Sequence, residues 1–142
     1  MGRSRFVRPE TRTLTLTDDD WLIVKVRLTA GEQQALEARQ YSYDAEGTLR
    51  VDLAQIRFAI AAAYLVDWSF PECSIRGVPL ETVDSALRKL DPDDFGEVRA
   101  AIEAHVEAMR EAREQEKKRR TGATASVPTS PSLVAVAGGM SG

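Results

Sequence analysis

Cysteine and histidine are nearly missing: Cys73 and His105 are the single representatives of their kinds among 142 residues. A lone cysteine excludes an intramolecular disulfide framework and any multi-cysteine zinc site. One histidine likewise excludes a two- or three-histidine catalytic metal centre. Long apolar runs are missing too. The longest stretch without a polar side chain, a tyrosine aside, is the nine residues 58–66 between Arg57 and Asp67, too short to span a bilayer. Arg3, Arg5 and Arg8 are followed by no apolar stretch, so no secretory signal is expected. Charge is close to balanced, with 22 acidic and 19 basic residues and a net charge of -3. Such a chain feels no overall pull toward nucleic acid or an anionic membrane. The expectation is a soluble protein of the reducing cytoplasm, with room for one modest domain that buries about two thirds of its unfolded surface.

Catalytic signatures are absent as well. There is no glycine-rich phosphate loop, no metal-ligand spacing and no nucleophile elbow. His105 borders an apolar stripe, three residues after Ile102 and four before Met109; local periodicity sets no serine, cysteine or carboxylate beside it, so a packed structural role is expected. Cys73 lies in a loop after Pro71-Glu72 and reads as an incidental thiol. Asp18-Asp19-Asp20 lacks the spacing of a calcium loop, and the acids of Asp91-Pro92-Asp93-Asp94 suit helix capping. No metal, no cofactor and no enzymatic activity are therefore expected. The basic ends, Arg3, Arg5 and Arg8 and then Lys117-Lys118-Arg119-Arg120, are short and have no aromatic platform nearby, so they read as solvated termini.

What is present is a pattern of elements. Thr13-Leu14-Thr15-Leu16-Thr17 alternates apolar and polar, and residues 21–27 follow with strand propensity, separated from it by the three aspartates. The pair predicts a β-hairpin, which needs helices beneath it or another edge beside it to be stable. Thr29-Ala30-Gly31-Glu32 matches a capping box, so a helix should run from there to about Gln40. Residues 41–47 read as a polar loop and 49–51 as a short extended piece. Asp52 should cap a second helix together with Gln55, with Val51 and Ile56 as hydrophobic staple. That helix carries Phe58, Ile60, Tyr64, Leu65, Val66 and Trp68 with alanines between them, apolar on every side, and is expected to continue through Trp68. Such a surface suits either core packing or contact with a partner; the candidate partner-binding residues are Phe58, Tyr64, Leu65 and Trp68. Pro79 opens a third helix, with Val83, Ala86, Leu87 and Leu90 at helical spacing.

The fullest helix start is Leu90-Asp91-Pro92-Asp93-Asp94-Phe95. Asp91 serves as N-cap, Pro92 takes the first helical position, acids fill the positive first turn and Leu90 staples to Phe95. Phe95, Val98, Ile102, Val106 and Met109 form one stripe, while residues 110–120 are mostly charged and should project into solvent. Residues 121–142 carry no charge and are mostly Gly, Ser, Thr, Pro and Ala, the composition of a flexible tail; Leu133-Val134-Ala135-Val136 is its one apolar patch, a bland linker or a short docking segment. The fold class expected is α+β, mostly α: an N-terminal β-hairpin packed on a bundle of about four helices, a projecting last helix and a disordered C-terminal tail. The boundaries expected are a flexible arm over 1–10, a single domain over 11–120 and the tail over 121–142.

Phe6-Val7-Arg8-Pro9-Glu10, Arg27-Leu28-Thr29-Ala30-Gly31-Glu32, Tyr64-Leu65-Val66-Asp67-Trp68-Ser69, and Leu90-Asp91-Pro92-Asp93-Asp94-Phe95 with Ala101-Ile102-Glu103-Ala104-His105 follow one another in this order. In order and spacing, over about residues 6–120, the chain resembles the tail assembly chaperones of long-tailed phages and prophages. The resemblance implies a protein that coats the tape-measure protein, keeps its apolar helical segments soluble and delivers it to the tail initiator, where tail tube subunits displace it. It also implies self-association, action in the host cytoplasm and absence from the mature virion. In many such phages a programmed frameshift adds a second domain that recruits the tube subunit. The rival expectation is a small structural tail or neck component retained in the virion, and a more distant one is a nucleic-acid-binding module using the arginine-rich start.

Overall fold

The computed structural model describes residues 4–125, with side chains to residue 121. The chain divides into two units, Met1–Val106 and Glu107–Gly142. In the first unit, strand β1 (Thr11–Thr15) pairs antiparallel with β2 (Trp21–Lys25), in the register Thr11 to Lys25 through Thr15 to Trp21. This is the expected hairpin. Its connection is a single 3₁₀ turn, Thr17–Asp19, in which Asp18 and Asp19 adopt φ of 58° and 61°; aspartate tolerates this left-handed region better than most residues. Glu97 fixes the turn, accepting hydrogen bonds from the Thr17 amide (2.7 Å) and hydroxyl (3.0 Å).

Helix α1 (Ala30–Arg39) opens with the expected capping box: the Thr29 hydroxyl accepts from the Glu32 amide while the Glu32 carboxylate accepts from the Thr29 amide. Then the structure departs from the expected polar loop. Tyr41–Tyr43 is strand β3, paired antiparallel with β4 (Leu49–Val51). The turn between them is built by Asp44, whose carboxylate accepts from the Glu46 and Thr48 amides, and by Gly47 at φ 81°. That backbone angle favours glycine because it has no Cβ. Asp52 caps α2 (Leu53–Tyr64) by accepting from the Ala54 amide. Gln55 does not complete a capping box: its amide donates to the Arg39 carbonyl instead, tying α2 to the end of α1. Val51, the expected staple residue, is exposed.

The main correction concerns residues 65–68. The helix does not continue through Trp68 but stops at Tyr64, and Leu65–Trp68 is strand β5, paired antiparallel with β2 to give the sheet order β1-β2-β5. No glycine or proline marks the change. Leu65 leaves the helix at φ -75°, ψ 127°, because β2 needs a partner on its second side. The register shifts between Ile23 and Val24, and both Leu65 and Trp68 are buried as a result.

Helix α3 (Leu80–Arg88) follows, with Pro79 as its N-cap residue and Val83, Ala86 and Leu87 turned into the core. Helix α4 (Pro92–Ala125) begins as expected, with the Asp91 carboxylate accepting from the Asp93 amide. Val98, Ile102 and His105 are buried, and the side chains of residues 110–121 are exposed. The first five residues of the expected tail, 121–125, belong to α4, and the rest of it lies outside the described residues. The fold is thus α+β and mostly α, with four helices among the described residues.

The core forms around α2. One cluster joins Leu22 and Val24 of β2 to Ala61, Ala62, Leu65, Trp68, Ile75, Val83, Leu87, Val98 and Ile102. A smaller one sets Ala59 and Ala63 against Leu28 and Leu36. A helix apolar on every side is explained by this placement, since α1 covers one side and the main core the other. Leu22→Ala should cost about 2–5 kcal/mol through the cavity it leaves, and Asp91→Ala about 0.5–2 kcal/mol through the lost cap. Phe95 is half-buried, so Phe95→Ala should fall below the ~3–5 kcal/mol of a fully enclosed ring. Glu114→Ala, at an exposed position, should stay within ~0.5 kcal/mol. Urea denaturation followed by the fluorescence of Trp21 and Trp68 gives the ranking.

Candidate functional site

Of the four candidate partner-binding residues, Leu65 and Trp68 are 4% and 5% exposed. Side chains so enclosed offer little area to a partner without rearrangement. Phe58 and Tyr64 are half-buried. Phe58 stacks on Phe95 with ring centroids 4.3 Å apart, and the Arg88 guanidinium lies over its ring at 4.4 Å. That sandwich joins α2, α3 and the start of α4. Arg88 also donates to Asp84 (2.8 Å) and to Gln55 (3.1 Å), and Arg39 approaches the same Asp84 at 3.3 Å.

Trp68 contributes in another way. Its indole N–H donates to the Cys73 carbonyl at 2.7 Å, and its ring tilts against Phe70 with centroids 4.9 Å apart. Together they border an open cavity of about 670 Å³ between the 3₁₀ turn, the loop after β5 and the α3–α4 corner. Asp18, Asp20, Glu72, Asp91 and Asp94 give its rim a negative charge that Lys89 offsets in part. Asp20 accepts from the Ser69 hydroxyl (2.6 Å) and Asp91 caps α4, so two of these carboxylates already hold structural roles. Among the described residues no group of three or more His, Cys, Asp or Glu side chains could hold a metal ion. No helix among them is long and apolar enough to cross a membrane.

His105 is 3% exposed. Its Nε2 lies 2.9 Å from the Lys25 carbonyl; a carbonyl only accepts, so Nε2 carries the proton and the ring ties α4 to the end of β2. Tyr64 meets it edge-on at 6.2 Å. The histidine thus sits within the packing, between β2 and Tyr64.

Sequence reasoning passed over a different surface. Tyr41, Tyr43, Leu49, Val51 and Leu53 are 48%, 72%, 50%, 60% and 60% exposed, and apart from Phe6 they are the large exposed apolar residues of the described chain. The signal was available: two alternating pairs, Tyr41/Tyr43 and Leu49/Val51, flank an Asp44-Ala45-Glu46-Gly47 turn.

No family model, no curated protein and no solved structure matches the chain.

One titration lies at the end of the central strand, β2. Glu32 of α1 pairs with Lys25 of β2 at 2.8 Å. Partial burial raises the Glu32 carboxyl pKa, but hydrogen bonds from Lys25 and from Thr29, with the Lys25 charge, outweigh it and hold the value below the ordinary 4.5. A carboxylate depressed in the folded state stabilises above its unfolded pKa, and the contribution is lost as pH falls through the folded value. Stability should therefore decline below about pH 4.5 in part through Glu32. In Glu32→Gln the decline over that range should be shallower, as read from urea midpoints between pH 3 and pH 6.

Proposed function

We propose that the chain is a tail assembly chaperone of a long-tailed phage or prophage, which coats the tape-measure protein and helps bring tail tube subunits to it in the host cytoplasm. The observation that carries this reading is the ordered series of motifs over about residues 6–120. Two of those motifs fall at decisive points of the fold, Leu65-Val66-Asp67-Trp68 forming β5 and Leu90–Phe95 opening α4. The proposed work is binding and not chemistry. A client with long apolar helical segments needs a soluble protein that offers apolar area, and the hairpin of β3 and β4 holds such area at its surface. The exposed charged side chains of residues 110–120 keep a complex of many copies hydrated.

Co-expression with the tape-measure protein of the same phage should raise that protein's soluble fraction and give a co-purifying complex with several chaperones per partner. Equal solubility of the partner alone, with no complex, removes the reading's support. Mass spectrometry of mature particles separates it from the alternative of a retained tail or neck component: the chain should be missing from them, whereas a stoichiometric amount would favour the structural role.

A further inference from the structure

The antiparallel register of the second hairpin places Tyr41 opposite Val51 and Tyr43 opposite Leu49, with Ser42 opposite Arg50 between them. Successive residues of a strand point to opposite faces. One face of this hairpin is therefore Tyr41, Tyr43, Leu49 and Val51, wholly apolar but for the phenol hydroxyls, and the other is Ser42 and Arg50. An apolar strand face normally lies against a core, yet all four side chains are about half exposed or more. A two-stranded hairpin gains little stability alone in water. Here it is anchored at its base by Gln55, which bonds the Arg39 carbonyl, and at its tip by the Asp44 turn, and no other described residue covers the face.

We infer that this face is a receptor for one uncharged, apolar stripe of a partner's α-helix. Naming that partner as the tape-measure protein rests on the function proposed above. Size decides against a second copy of this chain as the occupant. Two tyrosines and two aliphatic residues, each about half exposed or more, present roughly 400–500 Å²; a stable complex buries about 800 Å² on each partner. A symmetric dimer through this face alone falls short of that. A patch of this size instead matches two or three side chains of one helix, bound weakly at each copy and firmly only where many copies hold one long client. Spacing agrees. Neighbouring side chains of the face stand about 7 Å apart along a strand and about 5 Å across the pair, close to the 5.4 Å rise of a helical turn. Strands of three residues leave few edge groups for pairing with an added strand, so side chains and not backbone would supply the contact. Charge gives the chemistry of the occupant. Arg50, on the opposite face, lies 3.5 Å from Asp44, and the apolar face holds no ion to meet one buried against it.

The test uses the full chain, with a fluorescein-labelled 18-residue Leu/Ala/Gln helix bearing one leucine stripe and no charged residue as the probe. A second helix with the stripe changed to glutamine is the control. Two variants are compared: Tyr43→Asp, and the double substitution Leu49→Thr with Val51→Thr, which puts a β-branched strand former at both positions. The wild type should bind the leucine probe in anisotropy titrations and ignore the control, and both variants should bind at least tenfold more weakly with unchanged melting midpoints. Equal binding by the Thr double variant and the wild type overturns the inference. So does sedimentation showing a wild-type dimer that both variants dissolve, since the face would then serve self-association. Co-expression separates this inference from the reading it rests on. If the wild type and the Thr double variant solubilise the tape-measure protein equally, the face is not the client surface although the chaperone function stands. If the wild type fails to solubilise it while the probe results hold, the chaperone reading falls and the helix receptor remains.

Discussion

Leu22 and Val24 are completely enclosed, and that single condition governs much of the molecule. A strand whose side chains lie at the centre of the core has no water to satisfy its backbone, so its N–H and C=O groups must be paired within the protein on both edges. β1 supplies one edge and β5 the other. Each enclosed side chain contributes about 1.5–3 kcal/mol by leaving water, while one unpaired buried amide costs a comparable amount. The central strand is therefore stable only as part of three. From this follow the end of α2 at Tyr64, the bulge opposite Ile23 and Val24, and the burial of Trp68 beside Leu22. His105 extends the same logic past the strand's end, since its ring donates to the Lys25 carbonyl.

Near the start of α2, polar and partly enclosed links supplement the apolar packing against α1 and α3. Asp84 faces Arg39 and Arg88 while Arg88 covers the ring of Phe58. A half-buried ion pair adds little net stability because desolvation offsets most of its attraction. Its directional contacts do set how α1, α2 and α3 meet, which an aliphatic core leaves open. Phe58, with the Arg88 guanidinium and the Phe95 ring packed against it, belongs to this arrangement.

What could be read along the chain follows a physical division. Thr29, Asp52 and Asp91 announced their helices because a cap is a local event, decided by a side chain and an amide two or three residues away. The first hairpin was legible for the same reason, with alternation on both sides of an aspartate turn. β5 was not. Leu65-Val66-Asp67-Trp68 carries no breaker before it, and what makes it a strand is pairing with residues more than forty positions earlier. The second hairpin is a different case: tyrosine suits a polar loop as well as a strand, and only its alternation with Ser42 marks β3 in the sequence. Leu65 and Trp68 share a surface with Phe58 and Tyr64 only if α2 runs on past Tyr64; in the extended β5 they are enclosed.

The junction at Tyr64 and Leu65 joins a helix to a strand with no linker between them. Tolerance to inserted residues should therefore be uneven along the chain. An extra residue in the Asp44–Gly47 turn only lengthens an exposed loop. One added between Tyr64 and Leu65 has no loop to occupy; it must either overwind α2 or slide β5 by one position, which exchanges the inner and outer faces of the strand and turns the Trp68 indole out of the core. In descendants of this chain, length should drift at the tip of the second hairpin and hold constant from Asp52 to Ser69.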